Sequence, residues 1–419
     1  MISVEEALDR VLGFFAVLEE EEKPLLECLG QVLAKDVYAP FDVPQHDNSA
    51  MDGYAVQAKS IEGADEAHPK ILRVVGEVAA GSTTEVKVEP GTSVRIMTGA
   101  PLPPGADVVV PFEVTDEVDR RRASLPGAEV GIRCGLPEGS NVRRSGEDIA
   151  KGQLAVMWGS VLRPSELGVL ASLGNAMASV IRRPVVGILA TGDEVLDVNE
   201  SLLPGRVYNS NSYSLAAQVL SCGGIPRLLG VAADNIEQLS VALQSGLDCD
   251  MLITSGGVSL GDYDMVKQVL ASEGDISFWT VRMKPGKPLA FGTFQRDNGK
   301  RVPHLGLPGN PVSSMITFEV FARPAIAKMM GKRHLAKPSI FAIMEDSIQN
   351  SDGRRIFARV MVSKREGKYF ASLTGTQGSG VLTSMAKADG LAIIPETTSE
   401  VRPGTTVEVM LLDWGGDRD

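Results

Sequence analysis

The sequence predicts a multidomain α/β protein, and three observations carry that prediction. Strands and helices alternate from Val185 to about residue 331, the pattern of βαβ units with a largely parallel sheet covered by helices. Ahead of this stretch, short β-like segments between residues 41 and 140 interrupt two helical pieces. Behind it, residues 338–412 hold short alternating strands with no convincing helix, which fits a small β-barrel or sandwich.

The chain of 419 residues is long enough for roughly two to four domains with buried cores. With 43% hydrophobic and 22% charged residues its composition is that of an ordinary globular protein. A formal charge of −12 argues against nucleic acid, because phosphate backbones want a basic face. No apolar run is long enough to span a membrane. The start, Met1-Ile2-Ser3-Val4-Glu5-Glu6, is acidic where a signal peptide is basic. Cys28, Cys134, Cys222 and Cys249 lie far apart without metal-ligand spacing, so reduced thiols in a cytoplasmic protein are expected.

In chain order, Ser3 with Glu6 resembles a capping box for a helix with Val4, Leu8, Val11, Leu12 and Phe15 on one face. Asp47–Val56, rich in turn formers, reads either as a surface turn or as a polar loop offering Asp52 to a cation or substrate. Strands follow at Ile71–Val75, Thr92–Met97 and Val108–Phe112, and Arg95–Pro101 ends the second of them in Thr98 and a glycine. Asn141–Ile149 sets Arg143 and Arg144 beside acids, as an ion-pair loop or as a phosphate contact. Pro164–Leu173 reads as a helix.

Arg182-Arg183-Pro184 marks a boundary. Strand Val185–Ala190 leads to the loop Thr191–Glu194, helix Tyr213–Leu220 and strand Arg227–Val231, which ends near Asp234. Helix Glu237–Leu243 precedes strand Met251–Thr254, the turn Ser255-Gly256-Gly257 and a helical pattern in Val266, Val269 and Leu270. Strand, glycine turn and helix start make an anion cradle, although a plain βα connection shares the pattern. Asp262 and Asp264 close it, where a cation could bridge acid and phosphate. Ligands of such sheets bind beyond the carboxyl ends of the strands, and three acid-bearing loops fall there. Two more loops complete the rim. Met283–Pro288 holds Lys284 and Lys287 on a proline-fixed backbone, suited to an anion. Leu307–Ser314 has Asn310 as a good N-cap and Pro311 as a good first helical residue, and the same geometry frees N–H groups of the helix start to hold an anion.

Together these loops closely resemble the molybdenum insertase family, the molybdopterin molybdenumtransferases that also form the C-terminal part of gephyrin. The resemblance rests on DNSAMDGYAV (47–56), RIMTGAP (95–101), RRSGEDI (143–149), TGDE (191–194), TSGGVSLGDYD (254–264), KPGKP (284–288) and LPGNPVS (307–313), in family order across nearly the whole chain. It implies a homodimer of four-domain chains. The domains would be 1–40 with 141–181, an inserted β-rich domain at 41–140, a three-layer α/β domain at 182–332 and a C-terminal β-barrel at 333–419. It further implies insertion of molybdate into adenylylated molybdopterin with Mg²⁺-dependent hydrolysis of the adenylate. By motif, the catalytic residues are Asp52, Thr98, Asp148, Glu194, Asp234 and Asp264, with Mg²⁺ on Glu194 and Asp264. Molybdate and pterin contacts fall to Ser255, Gly256, Gly257, Ser259, Lys284, Lys287, Pro288, Pro308, Asn310, Pro311, Ser313, Arg359 and Ser379. Asp262 lies outside the family's acid position. The cleft is expected across the dimer, with one chain's N-terminal loops facing the other's α/β domain, and a partner adenylyltransferase supplies the pterin. Two residues depart from the pattern: Ser145 stands where a third basic residue is common, and Thr376 where histidine is common. The sister adenylyltransferases share the α/β domain but lack the N-terminal loops and the barrel. A non-catalytic scaffold on the same fold is the competing class, against which Lys284, Glu194 and Asp264 are intact.

Overall fold

The computed structural model describes residues 1–82, 84–123, 128–233, 235–257, 269, 274–296 and 299–412. The chain forms two compact units, one gathering Met1–Lys23, Gly30–Ala34 and Ser179–Asp419, the other Pro24–Leu29 and Lys35–Ala178.

In the first unit a six-stranded sheet runs in the order Ile225–Ala232, Val185–Thr191, Met251–Ser255, Arg301–Leu307, Pro288–Gln295 and Gly274–Thr280. The first four strands are parallel and the last two antiparallel. The sheet is thus largely parallel, as expected, with an antiparallel edge. The antiparallel strand Pro288–Gln295 contains Gly292. That glycine is required, since a Cβ there would fall 1.9 Å from the Asp275 carbonyl oxygen.

Side chains alternate across this sheet and are buried on both faces. Val186, Ile188, Met251, Ile253, Leu305 and Phe291 join Leu215, Val219, Ile316 and Phe321 on one face. Leu189, Leu252, Ala290 and Val302 join Leu239, Leu243 and Val269 on the other. Each such aliphatic or aromatic side chain contributes roughly 1.5–3 kcal/mol on leaving water.

The helices covering the sheet carry their own start and stop signals. Val4–Leu12 begins with the Ser3 hydroxyl accepting from the Glu6 N–H at 3.0 Å. Ser210–Cys222 is capped by Asn209 and ends at Gly223 with φ 92°, a left-handed conformation that favours glycine. Ile236–Ser245 is capped by Asn235. Pro311–Thr317 continues through a π-helical turn, Phe318–Ala322, into Arg323–Met329.

Strands Arg355–Arg365, Lys368–Leu373, Ser339–Met344, Thr406–Leu411 and Gly390–Ile394 close on themselves, the last pairing back with the first. This is a barrel, which resolves the barrel-or-sandwich alternative. Its interior is Ala342, Met344, Val360, Ala392, Ile394 and Val409. A short helix, Leu382–Ala386, corrects the expectation of none. At five residues it is too brief to show a helical apolar period.

The second unit holds a five-stranded sheet in the order Val108–Pro111, Gly53–Val56, Thr92–Ile96, Lys70–Val78 and Glu129–Ile132. The last four residues of 47–56, a stretch that reads as a turn or a polar loop, are thus a buried strand, Gly53–Val56. Gly53 allows it, because a Cβ there would lie 2.0 Å from the Val110 carbonyl oxygen. The predicted helix is present as Pro164–Ser172, with Glu166 accepting from the Arg163 N–H at 3.0 Å. Among the described residues, no helix is long and apolar enough to cross a membrane.

Candidate functional site

Three strand ends of the first unit converge. Strand Val185–Thr191 ends in Gly192, whose φ of 139° favours glycine. A Cβ on Gly192 would lie 2.6 Å from Glu194 Oε2, so the exposed carboxylate sits back against the end of its own strand. The Glu194 carbonyl accepts from the Val207 N–H at 2.8 Å, which holds the loop. Next to it, strand Met251–Ser255 ends in Gly256 with φ 102°, where a Cβ would meet the Thr191 carbonyl oxygen at 2.7 Å. The Gly256 N–H donates to the Leu307 carbonyl at 3.1 Å. The third end leads through Pro308 and Gly309 into helix Pro311–Thr317, and a Cβ on Gly309 would touch Gly256 Cα at 3.5 Å. The glycines therefore serve close backbone approach, and the two turns form one rim.

Asn310 occupies the N-cap position, but its side chain caps nothing; its carbonyl accepts from the Ser314 N–H at 2.9 Å. Ser313 is buried behind it.

Cationic residues lie on the loop before strand Pro288–Gln295 and on the barrel strand paired with it. Strand Met283–Lys284 pairs with Arg355 and Ile356 at the start of the long barrel strand. Lys284 is half-exposed, 3.8 Å from Asp352. Gly286 has φ 102°, and a Cβ there would lie 2.5 Å from Thr317 Oγ1, so the Lys284–Pro288 loop packs tightly on the helix that follows Asn310. Pro288 opens strand Pro288–Gln295, and the Lys287 carbonyl accepts from the Val281 N–H. Further along the barrel strand, Arg359 is only 1% exposed. Its Nε donates to Ser384 Oγ at 2.9 Å, and its Nη2 to the Thr376 and Gly378 carbonyls at 3.2 and 3.1 Å. Burial holds its pKa below the usual guanidinium value, yet the group remains charged. Among the described residues no carboxylate pairs with it. The loop it grips is tied to the rim, because the Val312 N–H donates to the Ser379 carbonyl at 3.1 Å. Thr376 contributes its backbone oxygen to this anchor, so the departure from histidine leaves that contact intact.

The second unit gathers its own polar loops. Asp52 Oδ1 accepts from the Thr98 N–H and hydroxyl, both at 2.7 Å, and these bonds hold the exposed carboxyl below the usual range. Arg95 Nη1 donates to the Gly53 carbonyl at 3.0 Å, fixing the turn beside Asp52. Asp47 accepts from Ser145 N–H at 2.8 Å and Arg144 Nη1 at 2.6 Å, which lowers its pKa. Arg143 faces Glu147 at 3.3 Å, so both arginines make the ion pairs of the simpler sequence reading. Ser145, in place of a basic residue, donates to the Gln45 carbonyl. Asp148 is exposed, its N–H bonded to the Val43 carbonyl.

Asp234, Ser259, Asp262 and Asp264 lie outside the described residues. Among the described residues, no group of three or more His, Cys, Asp and Glu could hold a metal ion. One rim residue was missed from the sequence. Asn211 Nδ2 donates to Ser255 Oγ and to the Gly309 carbonyl, each at 2.7 Å. The signal was present in Asn209-Ser210-Asn211, but starting the helix at Tyr213 left these residues in a loop.

The fold and rim define a multidomain α/β protein with glycine turns gathered at the carboxyl ends of its sheet strands, and comparison with known proteins gives the class. Residues 187–328 match the family described as "Probable molybdopterin binding domain", residues 2–174 the "MoeA N-terminal region (domain I and II)" and residues 342–412 the "MoeA C-terminal region (domain IV)". The chain is 39% identical over 394 residues to molybdopterin molybdenumtransferase 2 of Mycobacterium tuberculosis, covering 92% of this chain and 93% of that protein. It is 34% identical to molybdopterin molybdenumtransferase of Bacillus subtilis, covering 98% of this chain and 94% of the relative. A crystal structure of the molybdopterin biosynthesis MoeA protein from Pyrococcus horikosii superposes with a TM-score of 0.81 at 32% identity, covering 99% of this chain and 100% of that one. The chain belongs to the molybdopterin molybdenumtransferase family, transferases of molybdenum cofactor biosynthesis.

Proposed function

We propose that this protein inserts molybdate into adenylylated molybdopterin, with hydrolysis of the adenylate and release of AMP and molybdenum cofactor. The observation that carries this reading is Arg359, a buried guanidinium with no carboxylate among the described residues, gripping the loop that bonds to the start of the rim helix. A buried charge calls for compensation, and an oxyanion supplies it. Lys284, Lys287, Ser313 and Ser379, with Ser259, complete the molybdate contacts. The Ser255-Gly256-Gly257 turn, through the Ser255 hydroxyl and the Gly257 N–H, and the Asn310 N–H receive the pterin's phosphates, while Pro308 and Pro311, which have no N–H, shape the second turn. Pro288 holds Lys287 in place.

Mg²⁺ fits the donor set. It is typically held by one or two carboxylates together with substrate phosphates, and the exposed Glu194 at a strand end beside the cradle meets that need, with Asp264 as second ligand. When bound, it would neutralise charge on the leaving phosphate. Asp52, kept ionised by Thr98, and Asp148 and Asp234 orient water or molybdate oxygens. We extend the reading to four domains with the boundaries given above, and to a cytoplasmic homodimer in which one chain's N-terminal loops meet its partner's rim. An adenylyltransferase would supply the pterin.

The test is AMP release from adenylylated molybdopterin by the purified protein with Mg²⁺, with and without molybdate. Release that rises with molybdate and yields active cofactor supports the reading. Pterin binding without release would replace it with a scaffold or sensor role.

A further inference from the structure

Asn211 joins the two turns of the rim through a single amide nitrogen, 2.7 Å from Ser255 Oγ and 2.7 Å from the Gly309 carbonyl oxygen. A carbonyl oxygen can only accept, so the atom facing Gly309 must be the amide nitrogen, and chemistry fixes the amide's orientation. Both N–H bonds are then committed, one to each turn. Ser255 Oγ accepts the second, and the Ser255 carbonyl is engaged by Thr191 Oγ1 at 3.4 Å. The serine is 3% exposed. With one lone pair taken by Asn211, its hydroxyl hydrogen is directed away from the amide. Asn211 Oδ1 is buried with no partner among the described residues.

We propose that Asn211 is a positioning residue: it clamps the Ser255-Gly256-Gly257 turn to the Pro308–Pro311 turn and makes the Ser255 hydroxyl a donor to an anionic oxygen of the substrate. This rests on the phosphate-binding reading of the rim given above. An alcohol that accepts from a fixed N–H has its hydrogen free for an anion, and an anion accepts such a hydrogen bond more strongly than a neutral group does. Asn211 thus sets the polarity of Ser255 without itself touching the phosphate.

The substitution that separates this role from a structural one is Asn211→Asp. Asn211 is the second residue of helix Ser210–Cys222, where a carboxylate complements the helix dipole and stabilises it. At the rim the same change sets acceptor against acceptor at Gly309, turns the Ser255 hydrogen toward the new carboxylate and adds negative charge beside an anion seat. AMP is the probe, titrated calorimetrically into the full chain with Mg²⁺, alongside thermal unfolding. Asn211→Asp should weaken AMP at least tenfold, with a cooperative unfolding transition showing that the chain still folds. Asn211→Ala and Ser255→Ala should each weaken AMP, and the double variant should be no weaker than the worse single, because the two act as one unit. AMP affinity within twofold of the unchanged protein in Asn211→Asp, or additive losses in the double variant, would overturn the assignment alone. If the unchanged protein binds no AMP, the phosphate reading of the rim fails and this inference falls with it.

Discussion

His304 lies fully buried in the middle of the six-stranded sheet, on strand Arg301–Leu307 and opposite Leu252. Its Nε2 is 3.0 Å from Thr254 Oγ1, Phe294 meets its ring edge-on with centroids 5.4 Å apart, and Nδ1 has no partner. Burial pushes the imidazole from its ordinary 6.5 down to about 3. The sign follows directly. Above pH 6.5 the histidine is neutral whether the chain is folded or not. As pH falls below 6.5 the unfolded chain takes up a proton that the folded chain refuses, so stability declines until about pH 3. The full gap corresponds to roughly 5 kcal/mol, and the part lost by pH 5 to about 2 kcal/mol. The assay compares urea midpoints at pH 8 and pH 5 for the unchanged protein and for His304→Leu. The variant starts lower, since Thr254 loses its partner, but its decline between the two pH values should be smaller by about 2 kcal/mol. Histidine side-chain NMR gives a direct second measure: the signal that disappears in His304→Leu should stay constant from pH 8 to pH 5. A signal that titrates near 6.5, or equal pH slopes in the two proteins, would refute the reasoning.

Three further outcomes are expected. Glu194→Gln should leave the thermal unfolding unchanged and reduce AMP release by orders of magnitude, while Lys287→Ala should instead weaken the dependence on molybdate; equal activity in both would remove the site assignment. Arg359→Met should abolish that dependence and lower the melting temperature, because the Thr376 and Gly378 carbonyls lose their donor; molybdate titration alongside calorimetry checks both effects. Gly53→Ala should cost about 2 kcal/mol or more by driving a methyl into the Val110 carbonyl, measured as a lowered urea midpoint for the unit that contains it.

The sequence by itself determined a good deal. Apolar runs located strands at Val185–Ala190 and Met251–Thr254, each within a residue of its observed end, and caps such as Ser3 announced helices, because these signals are local: each depends on side chains a few residues apart. The motif loops were legible for the same reason, since glycine, proline and acid sit next to one another in the chain. What escaped was set by distant partners. Gly53 and Gly292 each stand inside a strand where a backbone carbonyl from a neighbouring strand leaves no room for Cβ, a requirement set by residues distant in the chain. Arg359 was named from a motif, but its burial without a carboxylate among the described residues comes from the 375–379 loop folding over it. Asn209-Ser210-Asn211 could mark a helix start, but Asn211's partners lie 44 and 98 residues away, so its bonds to Ser255 and Gly309 were set by the tertiary structure. The chemistry of each residue was written in the chain; which atoms it would face was decided only when the sheet brought three strand ends together.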